Sequence, residues 1–243
     1  MMANEFSRTE LLIGEEGLKK LSQSRVAIFG IGGVGGYAAE ALVRSGLGEI
    51  DIIDNDKVSI TNINRQLYAL HSTVGKYKVD VAKDRILDIN PNIKVNCYNT
   101  FFSPETCKVF DFTKYDYVID AIDTVVGKLA LIEQAKANNV PIICSMGAGN
   151  KLNPSALEVT DISKTSICPL ARVIRTELRK RNIKDVKVVY SKEAPIKPMH
   201  GDNLQAENLK GNHPAPGSCA FVPSVAGLIM AGEVIKDLIN KSL

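Results

Sequence analysis

Residues 25–36 read Arg25-Val26-Ala27-Ile28-Phe29-Gly30-Ile31-Gly32-Gly33-Val34-Gly35-Gly36. A short β-rich run stops at a cluster of glycines, and helical spacing follows, with Val34, Ala38, Ala41 and Leu42 on one face. Gly30, Gly32 and Gly35 satisfy G-x-G-x-x-G between a strand and a helix. In that setting the glycines permit a tight turn, close backbone approach to a phosphate and close helix–strand packing. Free N–H groups at the helix start favour an anion. Nineteen residues beyond Gly35, after a second strand over Ile50–Ile53, stands Asp54, placed to accept hydrogen bonds from ribose hydroxyls. Turn and aspartate together predict a bound nucleotide without saying which one.

Further along, strand and helix patterns alternate. Val79, Ala82, Ile86 and Ile89 mark a helix that ends before Pro91. Lys94–Tyr98 and Tyr117–Ala121 read as strands, Leu129–Ala137 as a helix and Pro141–Ser145 as a strand. This alternation predicts right-handed βαβ units and a parallel sheet. The texture changes after Gly149. Leu157–Ile162 and Lys187–Tyr190 read as strands flanking a basic helix over Pro169–Arg181. Ala194–Ser218, with prolines at 195, 198, 214 and 216, reads as a long irregular loop before a buried C-terminal helix. The expected class is α/β: a Rossmann-like, doubly wound, mostly parallel sheet, with a C-terminal extension completing the sheet and a dimer interface. Residues 1–150 would form the nucleotide-binding core, and 151–243 a continuation of the same domain.

Composition excludes several classes. The 243 residues are 45% hydrophobic and 23% charged, enough apolar material for a core and unlike a disordered chain. The absence of Trp and 6% aromatic content argue against a carbohydrate-stacking module. Cys97, Cys107, Cys144, Cys168 and Cys219 form no CxxC pair, so no zinc is expected, and their odd count points to a reducing compartment. No signal peptide is readable, and the apolar stretch Phe221–Ile235 is interrupted and too short for a membrane span. His71, His200 and His213 lack a partner at readable spacing.

The stretch Asp54–Gln66 (DNDKVSITNINRQ) favours a triphosphate over a dinucleotide. A dinucleotide fold would pass promptly into its next helix. Here a polar loop presents Asn62 and Arg65, and Thr73–Lys78 (TVGKYK) places Lys78 at the start of the following helix. Arg65 and Lys78 would add cations beside a triphosphate, as phosphoryl and nucleotidyl chemistry requires. Asp123, in DAIDT past the end of another strand, sits where ligands bind in open α/β sheets and is a candidate Mg²⁺ ligand.

SRT at Ser7–Thr9, GIGGVGG, IIDNDKV, TNINRQ, TVGKYK and DAIDT together resemble the ubiquitin-activating-enzyme superfamily, the ThiF/MoeB/HesA group, over roughly the first 150 residues. That family adenylates a carboxylate with Mg·ATP. The resemblance implies that Gly30, Gly32, Gly33 and Gly35 hold phosphates and that Asp54 binds the ribose. Asn62, Arg65 and Lys78 would contact the triphosphate, and Asp123 would serve the metal and α-phosphate. Arg8 would reach the ATP of the other protomer in a homodimer from a short N-terminal arm.

The second half most resembles the tRNA threonylcarbamoyladenosine dehydratase branch, through DISKT (Asp161–Thr165), PLARVIRTELRKRNI (Pro169–Ile183) and FVPSVAGLIMAGEV (Phe221–Val234). The implied activity is ATP-dependent cyclodehydration of threonylcarbamoyladenosine in tRNA through carboxylate adenylation, in the cytoplasm. From Lys164 to Lys192 there are nine cations and two anions, a local +7 in a chain of +3. That concentration suits a phosphate backbone, and Arg172, Arg175, Arg179, Lys180 and Arg181 are the candidate tRNA contacts. A solvated helix face is the bland alternative. Two rivals stay open: an adenylyltransferase for the C-terminus of a ubiquitin-like sulfur carrier, and a nucleotide-sensing module associated with a cysteine desulfurase/sulfur-acceptor system. A monovalent cation, K⁺ or Na⁺, is also left open. Cys144, Cys168 and Cys219 could be argued for thioester or persulfide chemistry, against the commoner role of small core hydrophobes.

Overall fold

The computed structural model describes residues 4–197 and 216–240. Seven strands join in one sheet: β1 (Arg25–Phe29), β2 (Glu49–Ile53), β3 (Lys94–Tyr98), β4 (Tyr117–Asp120), β5 (Ile142–Ser145), β6 (Leu157–Asp161) and β7 (Lys187–Ser191). Their order is β3-β2-β1-β4-β5-β7-β6. Every neighbouring pair is parallel except β6 with β7. The expected doubly wound, mostly parallel sheet is therefore observed, and the C-terminal part completes it through β7 and β6. Strand order runs outward from β1 on one side and from β4 on the other. The crevice beyond their carboxyl ends is the position where such sheets take ligands.

Alternating side chains of the strands feed two cores. Val26, Ile28, Ile50, Ile52 and Ile119 pack with α2 (Gly35–Arg44), α3 (Lys78–Ile89) and α6 (Phe221–Asn240). Ala27, Phe29, Val118, Ile142 and Cys144 pack with α4 (Val125–Ala137) and α5 (Pro169–Lys180). Phe29 is ringed by Phe102, Phe110 and Phe112, with centroids 4.8, 5.2 and 6.0 Å away. α6 is buried along much of its length through Val222, Ala226, Met230, Ala231 and Val234, as expected of the apolar tail. No helix among the described residues is long and apolar enough to cross a membrane.

Two elements differ from the sequence-based expectation. Residues 7–23 form a helix, α1 (Ser7–Gln23), in place of the expected N-terminal arm. Gly14 interrupts it at φ 72°, Leu11 and Leu12 are 86% and 87% exposed, and its inward stripe of Ile13, Gly17 and Leu21 is short and includes a glycine, so the pattern is weak in the sequence. α4 begins at Val125, four residues before the predicted start, because its first turn carries two β-branched residues and Gly127.

Of the predicted loop, residues 198–215, with His200 and His213, lie outside the described residues. Its flanks meet at Asn150, which is at φ 57°. The carbonyl of Asn150 accepts from Ile196 N–H at 2.8 Å, and its N–H donates to the Gly217 carbonyl at 2.7 Å. Its Oδ1 accepts from Gly217 N–H at 2.7 Å.

Candidate active site

The glycine turn lies between β1 and α2, and its glycines serve different ends. Gly30 has φ 92°, and a Cβ there would stand 2.7 Å from the Ala121 carbonyl oxygen after β4. A Cβ on Gly35 would stand 1.8 Å from the Gly30 carbonyl oxygen. These two permit the turn and its packing. A Cβ on Gly32 would meet nothing closer than Gln66 Nε2 at 3.8 Å, so backbone is bared there to an incoming group. A Cβ on Gly33 would stand 3.3 Å from Pro223 Cβ of α6 and 3.5 Å from Arg65 Cγ. α2 starts at Gly35 without a side-chain cap; Gly36 N–H donates to the Gly32 carbonyl at 3.0 Å, and the N–H groups beside it are open to a ligand or water.

Asp54, at the end of β2, holds the turn from the side. Its Oδ2 accepts from Ile31 N–H at 2.8 Å, and its Oδ1 accepts from Asp56 N–H at 2.8 Å. Lys78, the first residue of α3, is buried, with Nζ 2.9 Å from Asp56 Oδ2 and 3.7 Å from Asp54 Oδ2. Sequence reasoning misses Asp56, although it lies two residues past Asp54 in the same motif.

A 3₁₀ turn over Ile60–Asn62 presents the next cation. Asn62 Oδ1 accepts from Ser59 N–H at 3.0 Å, so its carbonyl shapes the loop and its amide N–H₂ is left for a ligand. Arg65 is half-buried and donates from Nη1 to the Thr61 carbonyl at 2.9 Å and to Asn64 Oδ1 at 3.0 Å. Burial lowers its pKa, but a guanidinium stays charged. Asn64 Nδ2 donates to the Ser218 carbonyl at 2.9 Å, tying this loop to the segment that enters α6.

The turn after β4 approaches from the other side. Ala121 N–H donates to the Phe29 carbonyl at 2.8 Å. Two residues on, Asp123 is exposed and makes no ion pair among the described residues. Beneath it lies a pair that sequence reasoning misses. Lys128 of α4, 0% exposed, donates to both carboxylate oxygens of the buried Asp120 at 3.0 Å and to the Ser145 carbonyl at 2.7 Å. Burial pushes the Asp120 carboxyl up and Lys128 opposes that push. A lysine with apolar neighbours in sequence reads as a surface charge; the one sequence signal is that Asp120 closes an apolar strand.

The remaining candidates lie apart. Arg8 is exposed in the first turn of α1, with no ion pair among the described residues. On α5, Ala171, Ile174 and Leu178 face the core. Arg175 donates from Nη1 to the Thr165 carbonyl at 2.8 Å and to Thr165 Oγ1 at 2.5 Å. Lys180 and Arg181 both pair with Glu177 at 2.6 Å, and Arg181 also pairs with Glu133 at 2.7 Å. Arg172 and Arg179 are exposed and make no ion pair among the described residues. Much of the local charge is thus engaged within the fold.

All five cysteines are unpaired. Cys144 and Cys168 are buried, and burial pushes the Cys144 thiol well up, away from nucleophilic thiolate. No group of three or more His, Cys, Asp or Glu side chains able to hold a metal occurs among the described residues. Mg²⁺ needs no such cage, because it is commonly held by one or two carboxylates together with substrate phosphates and water. The exposed carboxylate of Asp123, which makes no ion pair among the described residues, fits that mode.

The model of the ThiF family matches residues 6–242. The chain belongs to the ThiF family. Within it, a tRNA threonylcarbamoyladenosine dehydratase of Bacillus subtilis is 50% identical over 245 residues, spanning 98% of this chain and 96% of the relative. The crystal structure of the Escherichia coli tRNA N6-threonylcarbamoyladenosine dehydratase in complex with ATP superposes with a TM-score of 0.87 at 34% identity. That match covers 98% of this chain and 95% of the other. An adenylyltransferase and sulfurtransferase of Culex quinquefasciatus, from the rival branch, is 34% identical over 57% of this chain and 32% of its own length.

Proposed function

We propose that this ThiF-family chain is an ATP-dependent tRNA-modifying enzyme that cyclises threonylcarbamoyladenosine with net loss of water. The observation that carries the reading is the gathering of the Gly32 backbone, Asp54, Arg65 and Lys78 around one turn at the β1–β4 crevice, in a chain alike over its whole length to dehydratases. The threonyl carboxylate attacks the α-phosphorus of ATP, and pyrophosphate leaves. A nucleophile within the same substrate then attacks the acyl carbon, and AMP leaves. No enzyme cysteine is needed, which accords with the buried Cys144 and Cys168.

The protein's part is electrostatic and positional. Backbone N–H groups of the glycine turn and the α2 start receive phosphate oxygens. Asp54 takes the ribose while still bonded to Ile31. Asn62 and Arg65 border the triphosphate, and Lys78 exchanges part of its bond to Asp56 for a phosphate oxygen. Mg²⁺, held by Asp123 and phosphate oxygens, would supply further neutralisation of charge. A homodimer is part of the reading: the exposed Leu11 and Leu12 lie beside Arg8 on α1, and an apolar face there supports a subunit contact that delivers Arg8 to the neighbouring ATP. Arg172 and Arg179 are the first tRNA contacts to consider, with Arg175, Lys180 and Arg181 behind them. The cytoplasm, where modified tRNA and ATP coexist with free thiols, is the implied compartment.

The test is mass spectrometry of nucleosides from threonylcarbamoyladenosine-bearing tRNA incubated with the protein and Mg·ATP. The expected product is the parent nucleoside less one water. An unchanged nucleoside, with pyrophosphate exchange dependent on a Gly-Gly-ended carrier protein, would instead establish the sulfur-carrier reading.

A further inference from the structure

Lys128 is fully buried on an apolar helix, next to the site but outside the set that meets ATP. Its three N–H donors are all taken, two by Asp120 and one by the Ser145 carbonyl, so a single ammonium joins the carboxyl ends of β4 and β5 to the first turn of α4. Asp120 Oδ1 in turn accepts from Ile122 N–H at 3.2 Å. The turn carrying Ile122 is pressed onto α4 so closely that a Cβ on Gly127 would stand 2.9 Å from Ile122 Cδ1 and 2.7 Å from Thr124 Oγ1. On its other side the same turn meets the glycine turn through the Ala121 carbonyl, 2.7 Å from where a Gly30 Cβ would stand. Asp123 is the next residue after Ile122.

A buried ion pair is weak as a source of stability, since apolar side chains of similar volume often serve as well. What an ion pair with all its donors satisfied supplies is direction. We infer that Lys128 and Asp120 are positioning residues that fix the β4–α4 turn, and with it the Asp123 carboxylate, at a set distance from the phosphates held by the glycine turn. The inference rests on the reading of Asp123 as the metal-side carboxylate.

The test compares the affinity for ATP in Mg²⁺ with that in EDTA, by calorimetry, alongside thermal melts. Lys128→Met and Asp120→Asn each strand one buried charge and should lower the Tm by about 10 °C. The double variant Asp120→Asn/Lys128→Met strands none and should recover the Tm. In that double variant the affinity in EDTA should be unchanged, because Gly32 and Asp54 are untouched. The gain from Mg²⁺ should fall about tenfold or more, as it does when partners that orient a ligand are removed, and match the loss in Asp123→Ala. Should the double variant fail to fold, Asp120→Glu, which keeps the charges and shifts the carboxylate by one methylene, should show the same weakened Mg²⁺ gain. A folded variant of either kind with the full wild-type Mg²⁺ gain would overturn the inference alone. A wild-type chain whose ATP affinity ignores Mg²⁺ would overturn the metal role of Asp123 and the inference with it.

Discussion

The carboxylate of Asp54 is bonded to the backbone N–H of Ile31, at 2.8 Å, inside the glycine turn. The residue proposed to take the ribose therefore also sets the conformation of the turn proposed to receive the phosphates. Asp54→Ala removes both. Hydrogen bonds to a charged group contribute about 1.5–3 kcal/mol each, so ATP should bind some ten- to hundredfold more weakly in calorimetry. Asp54→Asn, which can still accept from Ile31, should lose less than Asp54→Ala.

Gly32 and Gly35 should respond in opposite ways to the same substitution. Gly35→Ala forces a methyl to 1.8 Å from the Gly30 carbonyl oxygen, so the turn must break, and a lower Tm should accompany loss of ATP binding. Gly32→Ala meets no atom closer than 3.8 Å, so the fold should melt as wild type while the new methyl obstructs phosphate approach. Equal melting of the two variants would contradict this division.

Arg8→Ala and Asp123→Ala, each inactive alone, should complement after subunit exchange. In a mixed dimer one site has both Asp123 and the neighbour's Arg8 intact. Random mixing makes half the dimers mixed, each with one of two sites working, so about a quarter of wild-type activity should return. No recovery would place Arg8 within its own chain's site or outside any site.

Binding of tRNA should weaken as salt rises, with a slope set by the phosphates neutralised. Replacing Arg172 and Arg179 by Ala should reduce that slope by about one for each phosphate left without its cation and raise the KM for tRNA with little change for ATP. Arg175→Ala should act first on stability, because its guanidinium holds Thr165 at the foot of α5. Unchanged slopes in all three would make α5 a solvated face.

Glu40 of α2 carries the acid sensitivity of the α2–α3 contact. Its carboxylate accepts from Arg85 Nε and Nη2 and from Arg44 Nε, each at 2.8 Å. Burial pushes its pKa up, and the two arginines more than offset this, leaving it below the usual value. A folded pKa below the unfolded one gives stability that is present above the unfolded value, about 4.3, and is lost as pH falls through the folded value. Glu40→Gln should therefore lower stability at pH 7 by about 1–2 kcal/mol and flatten the decline between pH 5 and 3 measured by thermal melts.

Much of the fold was legible because its signals are local. The run Arg25–Phe29 ends where β1 ends, Lys94–Tyr98 matches β3, and Pro169 opens α5. The grouping of the candidate site was legible where its residues cluster in one stretch, as Asp54 and Lys78, which the fold brings within 3.7 Å of each other. What escaped depends on distant partners. Leu11 and Leu12 face outward and Gly14 breaks the period, which masks the short inward stripe of Ile13, Gly17 and Leu21 on α1. Lys128 is buried only because Asp120 and Ser145 meet it from neighbouring strands, and no spacing encodes that meeting. Glu133 and Thr165 draw Arg181 and Arg175 back to the protein from other elements, which a count of charges on one helix cannot register.

Asn150 is bonded both to Ile196 and to Gly217, residues twenty-one positions apart in the chain. Because both contacts close on the same residue, one side chain and its own backbone hold the entry to α6 next to the Asn64 contact at Ser218. Asn150 is thus a clasp at the threshold of α6: Asn150→Ala, which removes the Oδ1 bond to Gly217, should loosen that entry and lower the Tm while the glycine turn is untouched.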